Sequence, residues 1–127
     1  MSGLIESLDH LVLTVADLEA TVAFYERLGM RREAFDGDRI ALRFGRQKLN
    51  LHHAGREIEP YARKPTPGSA DLCFLVDRPI EAVVDELAAQ GIEIELGPVD
   101  RTGAWTALRS VYVRDPDGNL VELSEPR

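Results

Sequence analysis

The sequence is poor in cysteine, in basic residues relative to acidic ones and in long apolar runs. A single cysteine, Cys73, excludes an internal disulfide and suits a reducing compartment, so a cytoplasmic location is expected. No apolar run approaches the length of a membrane span, and residues 1–6 lack the basic and apolar character of a secretory leader. The net charge of −7, from 15 basic and 22 acidic residues, disfavours nucleic acid and anionic membranes as partners.

The length and composition indicate one compact domain with an ordinary core. The chain has 127 residues, of which 44% are hydrophobic and 29% are charged. These proportions are typical of a globular protein, and the length is short of two independent domains. We therefore treat residues 1–127 as a single domain and look for organisation within it.

The first part of the chain, about 7–53, predicts a strand, a helix and three more strands. Apolar and polar residues alternate over 7–15, as they do in a half-buried strand. Asp17 is a suitable N-cap for a helix, and Gly29 is a suitable residue to end it. Short strands are expected near 30–35, 38–44 and 47–53.

The same pattern returns after a linker predicted over 54–68. In the second part, about 69–125, Asp71 falls where His10 stood, 61 residues earlier, and Gly91 follows Gly29 by 62 residues. The strands expected after Gly91 cover 92–96, 107–114 and 119–125, with a surface loop over 97–106. The repeat predicts an α+β fold of two βαβββ modules. If the sheets of the two modules curl toward one another, they form a curled mixed sheet around a cleft. We expect one continuous eight-strand arrangement with both helices on its outer face.

The last strand is preceded by a strong turn signal, Asp115-Pro-Asp-Gly118. Asp accepts backbone hydrogen bonds, Pro presets φ and Gly adopts the left-handed conformation, so a β-hairpin is expected here. Glu122 then lies in mid-strand between apolar neighbours. A carboxylate is costly to bury there without a partner, which makes Glu122 a candidate functional residue.

Five polar side chains are predicted to lie on the sheet face that turns away from the helices. Any one of them is more often an ordinary exposed or hydrogen-bonded strand residue, and His52-His53 fits a surface pair. Their occurrence at corresponding ends of a duplicated unit favours a shared site instead. Imidazoles and carboxylates together suit Mn²⁺, Fe²⁺, Ni²⁺, Co²⁺ or Zn²⁺. The five are His10, Asn50, His52, Asp71 and Glu122.

Three segments of the chain resemble the glyoxalase/bleomycin-resistance/dioxygenase (vicinal oxygen chelate) superfamily. They are Asp9–Val15, the helix end from Phe24 to Met30, and Arg114–Glu122. Within that superfamily, 47–52, 67–73 and 97–103 resemble glyoxalase domain-containing and bacterial virulence-associated members. The likeness covers nearly the whole chain, and the Asp-Pro-Asp-Gly-Asn turn followed by Glu is its most specific element.

The resemblance implies a homodimer and a divalent metal that chelates neighbouring oxygens of a small-molecule substrate. Family ligands occupy the first and last strands of each module, and His10 and Glu122 match two of these positions by residue type. Asn50 stands where the first module should supply Glu, although His52 lies one step along the same face. Asp71 replaces the commoner His. The implied metal ligands are His10, His52, Asp71 and Glu122, and Glu122 is also the implied proton-transferring residue.

Two classes of function fit these residues. The first is a metal-dependent glyoxalase-like enzyme, either a lyase of the lactoylglutathione-lyase type or an extradiol-type dioxygenase. The second is a metal-free protein of the bleomycin-resistance type that sequesters a small molecule, with Phe44, Trp105 and Tyr112 as possible lining residues. Four arginines offer either anion recognition or ordinary surface ion pairs. They are Arg43, Arg101, Arg109 and Arg114.

Overall fold

A computed structural model describes residues 3–127 of the protein. Met1 and Ser2, which begin the segment that we tested for a leader, lie outside the described residues. The chain forms two compact units, one up to Pro67 and one from Gly68 onward. None of the helices in residues 3–127 is long and apolar enough to cross a membrane.

Each unit contains one helix and one four-stranded sheet. The first unit comprises β1 (His10–Val15), α1 (Leu18–Arg27), β2 (Arg31–Phe35), β3 (Arg39–Phe44) and β4 (Gln47–His53). The second comprises β5 (Asp71–Leu75), α2 (Ile80–Ala89), β6 (Leu96–Thr102), β7 (Ala107–Arg114) and β8 (Leu120–Pro126).

The two sheets have the same topology. Their strand orders are β1-β4-β3-β2 and β5-β8-β7-β6, and in each the first and last strands of the unit pair in parallel while the other pairs are antiparallel. The expected α+β fold with two βαβββ modules is therefore confirmed. One expectation was wrong: in the described part of the chain the strands form two separate four-stranded sheets, not one continuous eight-strand arrangement.

Helix α1 begins and ends as the sequence predicts. The Asp17 side chain accepts a hydrogen bond from the Ala20 amide at 3.0 Å, which satisfies one of the free amides at the helix start. Gly29 follows the helix with φ of 97°, a conformation that glycine adopts without steric cost. The helix buries Thr21, Val22, Phe24 and Tyr25.

Helix α2 is anchored by a residue of the last strand. Pro79 occupies its N-cap position and offers no side-chain hydrogen bond. The amide of Ile80 instead donates to Glu125 Oε1 at 2.9 Å. Because a carboxylate at a helix N-terminus satisfies an amide and meets the positive end of the helix dipole, Glu125 replaces a conventional cap.

The second strand of the second module departs from the sequence prediction. We expected a strand over 92–96 and a loop over 97–106, whereas β6 covers Leu96–Thr102 and only 103–106 connect it to β7. The pairing of β6 with β7 shifts register between Leu96 and Val99. A Cβ on Gly97 would lie 2.5 Å from the carbonyl oxygen of Ser110, so glycine permits a close approach of the two strands there.

The turn before β8 ties the first and last strands of the second unit together. Asp115 Oδ1 accepts from the amides of Asp117 and Asn119 at 2.9 and 3.0 Å, and Asp115 Oδ2 accepts from Asn119 Nδ2 at 2.8 Å. Asn119 Oδ1 then accepts from the Ala70 amide at 2.8 Å, just before β5. Since Asp115 and Asn119 are both buried, this turn fixes the position at which Glu122 enters the sheet.

Candidate functional site

The strand registers show which positions of the two sheets correspond to each other. Val12 pairs with Asn50 in the first unit, and Cys73, 61 residues after Val12, pairs with Glu122 in the second. Asn50 therefore occupies the position that corresponds to Glu122. By the same register, in which Thr14 pairs with His52 and Leu75 pairs with Ser124, His52 corresponds to Ser124.

In the first unit, the polar face of the sheet borders a cavity of about 430 Å³. His10 and His52 both line it, so the structure brings these two predicted site residues together. Part of the wall comes from 58–60, a stretch that the sequence analysis assigned only to the linker. The lining residues are His10, Val12, Phe35, Asp36, Arg39, Lys48, Asn50, His52, Ile58, Glu59 and Pro60.

His52 is a buried histidine whose ring is not satisfied by the protein. It is 4% exposed, and neither ring nitrogen has a hydrogen-bond partner among the described residues. Burial lowers the pKa of His52, and the nearby Arg39 guanidinium lowers it further, against a smaller opposing effect of Glu57. The neutral form is therefore favoured, which is the form that binds metals. The expectation of a His52-His53 surface pair is wrong for His52.

His10 is held by its neighbour in sequence. Its Nδ1 lies 2.8 Å from Asp9 Oδ2, and this contact lowers the pKa of the Asp9 carboxyl. A carboxylate that accepts from one ring nitrogen fixes the ring and leaves the other nitrogen, Nε2, for a ligand. The sequence analysis did not assign this role to Asp9, although its position beside His10 was visible.

In the second unit, one serine hydrogen-bonds to the carboxylate of Glu122 and a second serine hydrogen-bonds to the first. Ser124 Oγ donates to Glu122 Oε2 at 3.1 Å, and the hydroxyls of Ser110 and Ser124 are 2.7 Å apart. Because Ser124 has one hydroxyl proton and gives it to Glu122, it accepts from Ser110. Ser110 and Ser124 are both fully buried. Sequence reasoning missed this pair, although strand alternation places Ser124 on the same face as Glu122.

Asp71 and Cys73 share the face of the second sheet that carries Glu122. Asp71 is exposed at the start of β5, where it pairs in register with Leu120. Cys73 is exposed as a residue, but its Sγ lies 3.2 Å from Ser124 Oγ and partial burial of the thiol raises its pKa. A thiol of raised pKa carries little thiolate at neutral pH, so Cys73 is not an activated nucleophile.

A second cavity, of about 390 Å³, lies within the second unit. Glu122 and Cys73 line it together with Arg101 and the 103–106 connection. Trp105 is among its lining residues, although the side chain is 99% exposed overall. Tyr112, also suggested as a lining residue, accepts a hydrogen bond from Arg101 Nε at 2.7 Å. Phe44 lies at the end of β3 and is half-buried.

Three of the four candidate arginines form ion pairs. Arg43 contacts Glu33 through two nitrogens, at 2.6 and 3.1 Å, and Arg114 contacts Glu95 in the same way, at 2.9 and 3.0 Å. Arg109 lies 3.8 Å from carboxylate oxygens of Glu81 and Asp100. Arg101 has no ion pair within residues 3–127. Sequence reasoning missed two other cations, Arg39 and Lys48, which line the first cavity.

Each unit supplies two side chains of the types that bind divalent metals. The first unit supplies His10 and His52, and the second supplies Asp71 and Glu122. Nowhere in residues 3–127 do three His, Cys, Asp or Glu side chains form a group that could hold a metal ion. The buried and unpartnered nitrogens of His52 and the Asp9-supported His10 have the chemistry that metal ligation requires.

Two proteins of known sequence are similar to this chain over nearly its whole length. Virulence protein STM3117 of Salmonella typhimurium is 54% identical over 123 residues, which cover 96% of this chain and 85% of that protein. Glyoxalase domain-containing protein RDO1 of Mycosarcoma maydis is 52% identical over 120 residues, which cover 94% of this chain and 68% of that protein.

Solved structures show the same fold. The crystal structure of STM3117 matches with a TM-score of 0.96 and 52% identity, covering 98% of this chain and all of that one. Lactoylglutathione lyase from Agrobacterium tumefaciens matches with a TM-score of 0.74 and 25% identity, covering 97% of this chain and 96% of that one. The family model of the Glyoxalase/Bleomycin resistance protein/Dioxygenase superfamily matches residues 7–123. The chain therefore belongs to the Glyoxalase/Bleomycin resistance protein/Dioxygenase superfamily.

Proposed function

We propose that the protein is a divalent-metal-dependent, glyoxalase-like enzyme that acts on a small molecule with two neighbouring oxygens. The observation that carries this proposal is the buried His52, whose ring nitrogens lack partners among the described residues. A buried imidazole without hydrogen bonds costs free energy, and a bound ligand or ion offsets that cost. The membership of the superfamily and the similarity to lactoylglutathione lyase support the same proposal.

The proposed metal ligands are His10 and Glu122, with His52 and Asp71 as further ligands. Mn²⁺, Fe²⁺, Ni²⁺, Co²⁺ and Zn²⁺ all accept these imidazole and carboxylate donors. When bound, such an ion polarises a substrate oxygen and stabilises the negative charge that develops on it. A lyase and a dioxygenase require the same donors, so both remain within the proposal.

The residues of the chain itself have distinct roles in this scheme. Asp9 orients His10 through the 2.8 Å contact with Nδ1. Ser124 holds Oε2 of Glu122, so that the second carboxylate oxygen, Oε1, can bind or take up a proton from the substrate. Ser110 donates to Ser124 and keeps that hydroxyl oriented. The protein thereby positions its proposed base without using a second charged group.

Metal analysis of protein purified without added metal tests the proposal. We expect a stoichiometric divalent ion, and in Glu122→Gln protein we expect metal affinity to fall at least about a hundredfold. Glu93→Gln, which changes an exposed glutamate, is the matched control and should keep the metal. Circular dichroism should be unchanged in both variants, and light scattering should report a homodimer, since each sheet has two outer strands to cover.

Two results would contradict the enzyme proposal. One is wild-type protein that never takes up a divalent ion, and the other is Glu122→Gln protein with full metal occupancy. The first result would favour the metal-free alternative, a protein that binds and sequesters a small molecule. The second would remove Glu122 from the proposed ligands and with it the proposed catalytic metal site. The observation that supports the metal-free alternative is the lack, in residues 3–127, of three side chains grouped to bind a metal.

A further inference from the structure

Four polar atoms without partners lie around the cavity of the first unit. They are Arg39 Nε, Asn50 Oδ1 and both ring nitrogens of His52, and each is buried with no hydrogen-bond partner among the described residues. Asn50 and His52 are each 4% exposed. Because a buried polar atom without a partner is costly, a concentration of four in one cavity indicates a ligand that bonds to them.

The same cavity holds two cations against one aromatic ring. The Arg39 guanidinium carbon lies 4.7 Å from the centroid of Phe35, and the Lys48 ammonium nitrogen lies 3.9 Å from it. Neither cation forms an ion pair with any residue that the structure describes. The electron-rich faces of the ring attract both charges. Arg39 and Lys48 therefore each lie against Phe35, at the wall of the same cavity.

Two carboxylates also line this cavity, and their exposure to water weakens their electrostatic effect on Arg39 and Lys48. Asp36 and Glu59 are exposed, and neither forms an ion pair with Arg39 or Lys48. Arg39 and Lys48 are half-buried by comparison. Since water screens exposed charges more than partly buried ones, Asp36 and Glu59 offset the two cations only in part. Asp9 and Glu33, which do not line the cavity, are also near enough to Lys48 for its charge to lower the pKa of their carboxyl groups.

The pattern of donors and acceptors narrows the ligand class. Arg39 Nε and the Lys48 ammonium group only donate hydrogen bonds, whereas Asn50 Oδ1 only accepts them. The two ring nitrogens of His52 add further polar atoms to the same cavity wall. The complementary ligand presents acceptor oxygens with negative charge and, next to them, a hydroxyl that donates.

We propose that the cavity of the first unit binds the acid end of a small hydroxy acid. The carboxylate contacts Arg39 and Lys48, and the neighbouring hydroxyl donates to Asn50 Oδ1. His52 lies beside both groups in the cavity wall. The inference deepens the proposed function by naming a substrate class, and it rests on that function only for the use of this cavity in catalysis.

A titration with four small probes tests the ligand class. Glycolate carries both groups, acetate lacks the hydroxyl, and glycolamide lacks the charge. In ¹⁵N NMR of chelator-treated wild-type protein, we expect glycolate to shift the Asn50 and His52 signals saturably. Loss of charge-assisted bonds should weaken glycolamide at least about tenfold, and acetate should be weakened several-fold. Inorganic phosphate, the fourth probe, should bind more weakly than glycolate.

Matched variants test whether Arg39 and Lys48 bind the carboxylate. Arg39→Gln and Lys48→Gln should each weaken glycolate at least about tenfold while their metal content stays at the wild-type value. Arg46→Gln and Lys64→Gln, which change exposed cations that do not line the cavity, are the controls and should bind glycolate normally. Two independent variants are used so that misfolding of one, visible in its NMR spectrum, leaves the other to decide.

The outcomes separate this inference from the proposed function. The inference is overturned if wild-type protein does not bind glycolate saturably, if glycolamide or phosphate binds as well as glycolate, or if Arg39→Gln and Lys48→Gln retain wild-type affinity. If glycolate binds as expected but the protein takes up no divalent ion, the metal proposal fails and the anion site stands. If a metal binds and glycolate does not, the anion site fails and the metal proposal stands.

Discussion

The two sheets share one topology and differ at corresponding positions of their polar faces. Where the first has Asn50 and His52, the second has Glu122 and Ser124. Asn50 Oδ1 and the ring of His52 are buried without partners among the described residues. Ser124, by contrast, donates to Glu122 within the same strand. The first face has buried polar atoms without partners in the described residues, whereas in the second one polar residue hydrogen-bonds to another.

The opposite faces of the two sheets, which pack toward the helices, have not diverged in this way. Leu51 and Leu123, one residue after Asn50 and Glu122 respectively, are 5% and 6% exposed. Their neighbours Leu49 and Val121 are also buried. The contrast between the sheets is therefore confined to the face that carries the candidate site, because packing constrains the other face equally in both units.

The largest effect should come from truncating this shared packing. Leu51→Ala and Leu123→Ala each remove a buried side chain and leave a cavity, so each should lower the free energy of unfolding by about 2–5 kcal/mol. Urea denaturation of the two variants measures the loss. Similar costs would sharpen the comparison by showing that the apolar faces are equivalent. A loss in the free energy of unfolding below about 1 kcal/mol at only one of the two positions would contradict this equivalence.

Smaller changes in the free energy of unfolding are expected at the corresponding positions 52 and 124, and they should differ between the two sheets. Ser124→Ala leaves Glu122 and the buried Ser110 hydroxyl without their partner and should lower the free energy of unfolding by about 1–3 kcal/mol. His52→Leu removes unpartnered polar atoms at similar volume and should leave stability unchanged or raise it. Denaturation of metal-free protein compares them, and a strong destabilisation by His52→Leu would contradict the contrast.

The smallest effects should appear in the pH dependence of stability, on the acid side for the first sheet and on the alkaline side for the second. The pKa of His52 is lowered from its ordinary 6.5, so the unfolded chain binds more protons and stability falls as pH drops below about 6.5. The pKa of Cys73 is raised from 9.0, mainly by burial, so the unfolded thiol ionises first and stability falls as pH rises above about 9.

Metal-free protein and two variants check this dependence. His52→Leu should remove the acid-side component and Cys73→Val the alkaline one, each without affecting the other. His53→Gln, at a histidine that contacts the Ala16 carbonyl oxygen, is the control on the acid side. Carboxyl groups with lowered pKa, such as Glu33 and Glu95, act only below their ordinary 4.5, outside the His52 window. An acid-side loss that persists in His52→Leu would assign it to another group.

Much of the fold could be predicted because its signals are local. Asp17 caps α1 through its own side chain, and Gly29 ends the helix with positive φ. Strand bounds in the first unit fall within a few residues of the predicted ones, since alternation is strong there. The error at β6 came from assigning 97–106, an insertion relative to the first half, to a surface loop. Pairing with β7 makes most of this stretch a strand, and glycine at position 97 allows the two backbones to come close.

The candidate site was predicted in part. Strand parity placed His10, His52, Asp71 and Glu122 on the polar faces of their sheets, and the family resemblance placed Asn50 where the first module should supply Glu. Parity says nothing about which groups lie beside a side chain. The cations Arg39 and Lys48 and the serines that hold Glu122 were therefore missed, although all are visible in the sequence.

The sequence by itself determined the duplicated βαβββ pattern, the helix limits and the face on which each polar strand residue lies. These follow from residue spacing and from caps and turns that act over a few positions. Only the tertiary structure decided which of those polar residues have partners. His52 lacks a partner and Glu122 has one because neighbouring strands and the 58–60 segment surround them differently, and such contacts between distant residues leave no periodic signal in a chain.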